Sequence, residues 1–228
     1  MRQDELNYST TVQSPGWLIA EPMDQAIAQQ VCDFNMRGLR LQLAGLEAAS
    51  CARRRELVLP RALQDLLPVW RAMDAVALRR LASMPFLLFE LGLDSVPLFA
   101  RGGSRAVALP EAAAQLEFAN LVISYAWHLA RANPLGAAVG LGMPTQCAAI
   151  LKEMNFGDLQ SCVPSAAACL RLRWCERPAV WRTLLAAVNG GDRTVLEREQ
   201  LAGLRRLAGD LLTAALSGGA GRVAEPLW

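Results

Sequence analysis

Two stretches of one shape constrain this chain more than anything else in it. Residues 57–70 read LVLPRALQDLLPVW and residues 141–154 read LGMPTQCAAILKEM. Each runs apolar, any, apolar, Pro, and then carries apolar side chains at helical spacing; Pro60 and Pro144 stand 84 residues apart. Proline fixes its own φ and lacks the N–H that a helix interior needs, so it belongs at the first turn. Both stretches are therefore expected to be short helices. Leu63, Leu66, Leu67 and Trp70 make the buried face of the first, and Cys147, Ile150, Leu151 and Met154 that of the second.

The same offset pairs Phe34 with Phe118, Ala48 with Ala132, Leu67 with Leu151, Asp74 with Asp158, Ala82 with Ala166 and Leu88 with Leu172. Identities between Ala- and Leu-rich segments are weak evidence, but the order of elements also repeats without a gap. The first half reads as a long helix from Asp24 to Ala49 (stripe Phe34, Leu39, Leu43, Leu46), the Pro60 helix to Arg71, and a helix from Ala75 to Ala82 capped by Asp74. An extended segment, MPFLLFEL at 84–91, closes it, with Pro85 at its start. The second half reads as a helix from Pro110 to Ala132, with Leu116, Leu121, Ile123, Trp127 and Leu129 as its apolar positions, stopped by Asn133, Pro134 and Gly136. The Pro144 helix, an Asp158-capped helix from Leu159 to Ala167, and CLRLRW at 169–174 follow.

This order predicts a mainly α protein: a helical bundle of two similar halves packed as a pseudo-dimer, with the extended segments near 84–91 and 169–174 pairing as a ribbon across the pseudo-twofold. The expected organisation is an arm at 1–22, a first half at 23–99, a Gly-rich linker at 100–109, a second half at 110–176, C-terminal helices at 177–217 and a tail at 218–228. Trp17, Leu18 and Ile19 are the arm residues able to pin it to the body. The last helix is amphipathic through Leu196, Leu201, Leu204, Leu207, Leu211 and Leu212, and can dock on the body or on a partner.

The apolar–Arg alternation of 169–174 places Arg171 and Arg173 on one strand face and Leu170 and Leu172 on the other. With Arg177 and Arg182 they form a cluster that can contact phosphates or make ion pairs on a solvated face. Of 23 basic residues Lys152 is the only Lys, yet net charge is only +2. Duplex affinity rests largely on neutralising phosphates, so strong DNA binding by this chain alone is not expected.

Six cysteines without a CxxC pair read as reduced core residues of a cytoplasmic protein, not as a zinc site. His128, the single histidine, lies in an apolar helical run and is expected to be a packing residue. That leaves no His–Cys dyad, no two-His metal site and no phosphate-loop motif, so neither an enzyme nor a bound cofactor is expected. The N-terminus has early acids and no apolar run, and no stretch suits a membrane span.

Residues 118–174 resemble the D subunit of the bacterial flagellar master transcriptional activator. The resemblance rests on Ala126–Leu129, Leu141–Gly142–Met143, Ala148, Leu151 and Met154, Phe156 and Leu159, and the terminal Leu170–Arg171–Leu172–Arg173–Trp174. The first half fits more loosely, through Asn35, Leu57 and Leu59, with Val58 where the pattern has Gly. It implies an α-helical transcriptional co-regulator that works as a dimer joined to a zinc-binding C subunit. Promoter DNA would be bound only in that complex, for a flagellar or related regulon. It also implies that the segment after the strand approaches DNA, which singles out Arg171, Arg173, Arg177 and Arg182. Leu63, Leu67, Trp70, Leu151, Met154, Leu170 and Leu172 would carry core or dimer packing. The chain is about twice the family's length, which implies a fused dimer. A helical adaptor with no nucleic-acid role is the alternative.

Overall fold

The computed structural model describes residues 25–48, 59–92 and 110–219. The arm, the linker, the Arg53–Arg55 run, Cys51 and the tail from 220 onward lie outside the described residues. Helix α1 spans Gln25–Ala48, and a 3-10 turn over Arg61–Leu66 runs into the short α2, Leu67–Arg71. Then come α3 (Ala75–Ala82), β1 (Phe89–Glu90), α4 (Pro110–Ala132), α5 (Pro134–Leu141), α6 (Thr145–Glu153) and α7 (Phe156–Ala168). The chain continues through β2 (Arg171–Leu172), α8 (Pro178–Gly190) and α9 (Arg193–Gly219). No helix among the described residues is long and apolar enough to cross a membrane.

Described elements of the first half have counterparts in the second. An offset of 84 carries α1 onto α4, Arg61 onto the first residue of α6, and α3 into α7. Pro60 and Pro144 adopt the same extended backbone, φ −52° and ψ 150° against φ −55° and ψ 144°. They are the caps before their helices and not first-turn residues. The first copy begins as a 3-10 turn because Pro68 has no N–H for the Gln64 carbonyl. Leu67 takes that carbonyl instead, one residue closer.

The extended segments pair, but only over two residues each. The register is antiparallel, Phe89 opposite Leu172 and Glu90 opposite Arg171. Exchanging the halves maps the Phe89–Leu172 pair onto Leu88 and Arg173, and the Arg173 N–H does donate to the Leu88 carbonyl at 2.8 Å. The ribbon is thus symmetric about an exchange of the halves, and one hydrophobic core spans both.

Local expectations failed in four places. Asn133, Pro134 and Gly136, expected only to stop α4, also start α5, because the Asn133 side chain accepts from the Gly136 N–H (2.8 Å) and Pro134 opens a new helix. Asp74 caps α3 through Val76 and Ala77, but its counterpart Asp158 is not a cap. Asn155 takes that role three residues earlier, accepting from the Asp158 N–H at 2.9 Å while donating to its carboxylate. On α4, Leu116 and Leu121 face outward, and Phe118, Val122, Ile123, Ala126 and Leu129 make the buried stripe. His128 is exposed on α4, its ring edge-on to Trp127, and not a packing residue of the core.

Of the expected packing residues, Leu63, Trp70, Leu151 and Leu172 are fully buried, and Leu67, Met154 and Leu170 pack half-buried against the same core. Cys147, Cys162 and Cys175 are buried, Cys32 is half-buried and Cys169 is exposed. Helix α9 docks on α5 and α8. Leu207 is buried there, while Leu201 and Leu212 stay outside.

Residues 84–88, all buried except the half-buried Pro85, are neither helix nor strand, so their polar backbone needs partners. Asn35, itself fully buried on α1, supplies them. Its Nδ2 donates to the carbonyls of Ala82 (3.2 Å), Met84 (3.3 Å) and Phe86 (2.9 Å), and its Oδ1 accepts from the Leu88 N–H (2.8 Å). Asn35→Leu is expected to cost about 3–5 kcal/mol, because several buried groups lose their partner at once. Asn35→Asp is expected to do no better, since a carboxylate cannot donate to carbonyls. Urea unfolding followed by circular dichroism reads both.

Candidate functional site

The four arginines singled out by the sequence lie around β2 and α8. The structure gives them three different environments. Arg171 is exposed and pairs with Glu90 directly opposite it in the ribbon, at 2.7 Å. Arg177, just before α8, pairs with Asp210 of α9 at 3.1 Å, and Asp210 also accepts from the Trp174 indole at 2.8 Å. Arg182, one turn into α8, pairs with Asp65 of the 3-10 turn.

Arg173 does not emerge beside Arg171. It is 8% exposed, with its guanidinium turned into the protein. Nε donates to the Leu87 carbonyl (2.7 Å), and Nη2 to the carbonyls of Phe89 (3.2 Å) and Leu141 (3.0 Å). Arg173 still bonds in register with Leu88 and lines the same cavity as Arg171, but the carbonyls of Leu87, Phe89 and Leu141 hold its guanidinium inside. Just beyond it the chain turns sharply, and Trp174 adopts φ 54°. Bulky residues rarely take that left-handed backbone, so surrounding contacts must hold it. Phe86 meets the Trp174 ring edge-on, with centroids 5.4 Å apart, and the Trp181 indole donates to the Arg173 carbonyl at 2.8 Å.

A cavity of about 260 Å³ opens where these elements meet, lined by Glu90, Arg171, Arg173, Trp174, Arg177 and Asp210 among others. Its formal charges nearly cancel through the Arg171–Glu90 and Arg177–Asp210 pairs, so it presents no concentrated positive field. The Cys175 thiol also lines it, but burial above all pushes its pKa up, so it stays protonated at neutral pH. Among the described residues no group of three His, Cys, Asp or Glu side chains could hold a metal ion.

Sequence reasoning missed the acidic partners Glu90, Asp65 and Asp210, and the buried Asn35–Arg173 system. Glu90 alone had a signal, because pairing the two extended segments antiparallel sets it against Arg171. Asp65 lies 117 residues from Arg182 and Asp210 lies 33 from Arg177, and no periodicity connects them.

Two expectations follow. Arg173→Lys is expected to cost about 3 kcal/mol or more, because an ammonium cannot reproduce the planar fork that bridges three carbonyls. Arg171→Gln removes an exposed pair and is expected to cost under about 1 kcal/mol. Paired thermal melts separate the two.

The Asp65 carboxyl is held below its ordinary pKa, chiefly by the hydrogen bond from Arg182. A depressed folded-state pKa means that the pair is complete at neutral pH and is lost as pH falls through that lowered value. An NMR titration of Asp65 is expected to move up toward the ordinary carboxylate value in Arg182→Gln.

No described protein family, no curated protein and no solved structure matches this chain.

Proposed function

We propose that this chain is a cytoplasmic transcriptional co-regulator that acts in a hetero-oligomeric complex, as a fused dimer resembling the D subunit of the flagellar master activator. The observation that carries this reading is the exchange-symmetric ribbon, Phe89 opposite Leu172 and Leu88 bonded to Arg173. A subunit that works as a twofold dimer, once fused, would keep such a ribbon between its halves. The segment carrying the closer resemblance supplies β2, and Arg177 and Arg182 follow just beyond its end.

In this reading promoter DNA is bound together with a zinc-binding, C-subunit-like partner. Arg171 and Arg177 are the exposed arginines at the cavity rim, and their acid partners leave little charge for phosphates unless a partner rearranges them. Arg173 serves the interior. No catalytic step is assigned to the chain, and the regulon is flagellar or related. A second reading, a helical adaptor without nucleic-acid contact, is favoured by the acid pairing of Arg171, Arg177 and Arg182.

A gel shift on DNA upstream of the gene, with and without a zinc-binding, C-subunit-like protein, separates the readings. The co-regulator reading expects no shift by the chain alone and a shift by the pair, weakened by Arg171→Glu and Arg177→Glu. A stable complex of the two proteins that never shifts DNA would favour the adaptor.

A further inference from the structure

Helices α1 and α4 leave a groove of about 360 Å³ between them, lined by Arg37, Arg40, Leu41, Glu117, Phe118 and Leu121 among others. Its origin lies in the repeat. The offset of 84 carries Phe34 onto Phe118 and Leu41 onto Tyr125. In one copy the Tyr125 ring packs edge-on against Phe34, with centroids 5.3 Å apart. In the exchange-related place Leu41 offers no ring, and the buried Phe118 meets Phe89 edge-on instead, with centroids 5.7 Å apart. The groove lies beside Leu41, where an exact copy would carry a tyrosine. Its rim carries Arg37 and Arg40, both exposed and without an ion pair among the described residues.

The chain itself contains a segment of matching chemistry. Residues 1–24 lie outside the described residues and end one residue before Gln25. They include Trp17, Leu18, Ile19 and Ala20, followed by Glu21 and Asp24, with no basic residue between Trp17 and Asp24. From Gln25 to Leu41 the helix rises about 24 Å at ~1.5 Å per residue. An extended strand from Trp17 to Gln25 reaches about 27 Å at ~3.4 Å per residue. Trp17 can therefore lie over Leu41, leaving Glu21 within reach of the long Arg37 side chain. The segments that flank the groove in sequence bring the wrong sign: 49–58 carries Arg53, Arg54 and Arg55, and 93–109 carries Arg101 and Arg105.

We propose that the apolar stretch Trp17–Ala20 seats in the α1–α4 groove, with Glu21 paired to the Arg37–Arg40 rim. The groove is a docking surface for the chain's own N-terminal segment, which supplies an aromatic ring where the first half carries Leu41 in place of Tyr125. This assignment is independent of the co-regulator reading.

Hydroxyl-radical footprinting of the full chain tests it. Trp17→Glu is expected to raise side-chain oxidation of Leu41 and Leu121 severalfold, while buried Phe118 and the exposed Phe156 and Leu212 stay unchanged. Arg37→Glu alone is expected to raise it too, and the swap Arg37→Glu with Glu21→Arg to restore protection. Arg37 is exposed on the surface of α1, so this pair remains informative if Trp17→Glu perturbs folding. Groove oxidation that ignores both single substitutions overturns the proposal. So does protection that vanishes on dilution while light scattering shows a dimer dissociating, because the occupant is then a second copy.

Discussion

The fold depends on satisfying a buried piece of irregular backbone. Residues 84–88 pass through the interior, and Met84, Phe86, Leu87 and Leu88 are all fully buried. Apolar side chains make that burial favourable, but each bare carbonyl left in the core would cost as much as a lost hydrogen bond. Asn35 meets the segment from α1 and Arg173 from the far end of the ribbon. Between them they take the carbonyls of Ala82, Met84, Phe86, Leu87 and Phe89. Arg173 also takes Leu141, at the end of α5, so one guanidinium fastens the central segment of the first half to the second.

This polar system is where the two halves stopped being copies. The exchange mate of Asn35 is Ala119, and that of Arg173 is Phe89. Each half contributes one clamp that the other lacks. The same divergence appears in packing. Trp70 stacks at a tilt against Trp181 of α8, centroids 5.3 Å apart, whereas its mate Met154 offers a carbonyl to the Trp127 indole. Helix α8 packs on α3 and the 3-10 turn, and α9 on α5 and α8. The α1–α4 groove, lined by both halves, also lacks exchange symmetry, since Leu41 stands where its mate is Tyr125.

Much of the architecture was legible because it is local. Helical periodicity, Pro60 and Pro144 before their helices, Asp74 as a cap and the repeated order of elements are short-range signals that the folded chain keeps. The misread elements share one cause. Asn155 outcompeted Asp158 as a cap, and Asn133 with Pro134 started a helix where only a stop was expected. In both places adjacent turn-formers compete within three residues, and the winner depends on which backbone N–H groups are left bare. The ribbon's existence was legible and its length was not, because the turn at Trp174 is held by Phe86 and Trp181.

By itself the sequence determined a mainly helical protein of two matched halves, the faces that pack, and the positions of its arginines along the chain. Only the tertiary structure decided what those arginines do. Arg171 and Arg173 are two residues apart and look alike in sequence, yet one lies in solvent against Glu90 and the other is buried among carbonyls. The difference comes from Leu87, Phe89 and Leu141, brought to one point from segments more than 50 residues apart. A guanidinium is held inside only where such acceptors converge, and convergence is a property of the folded chain.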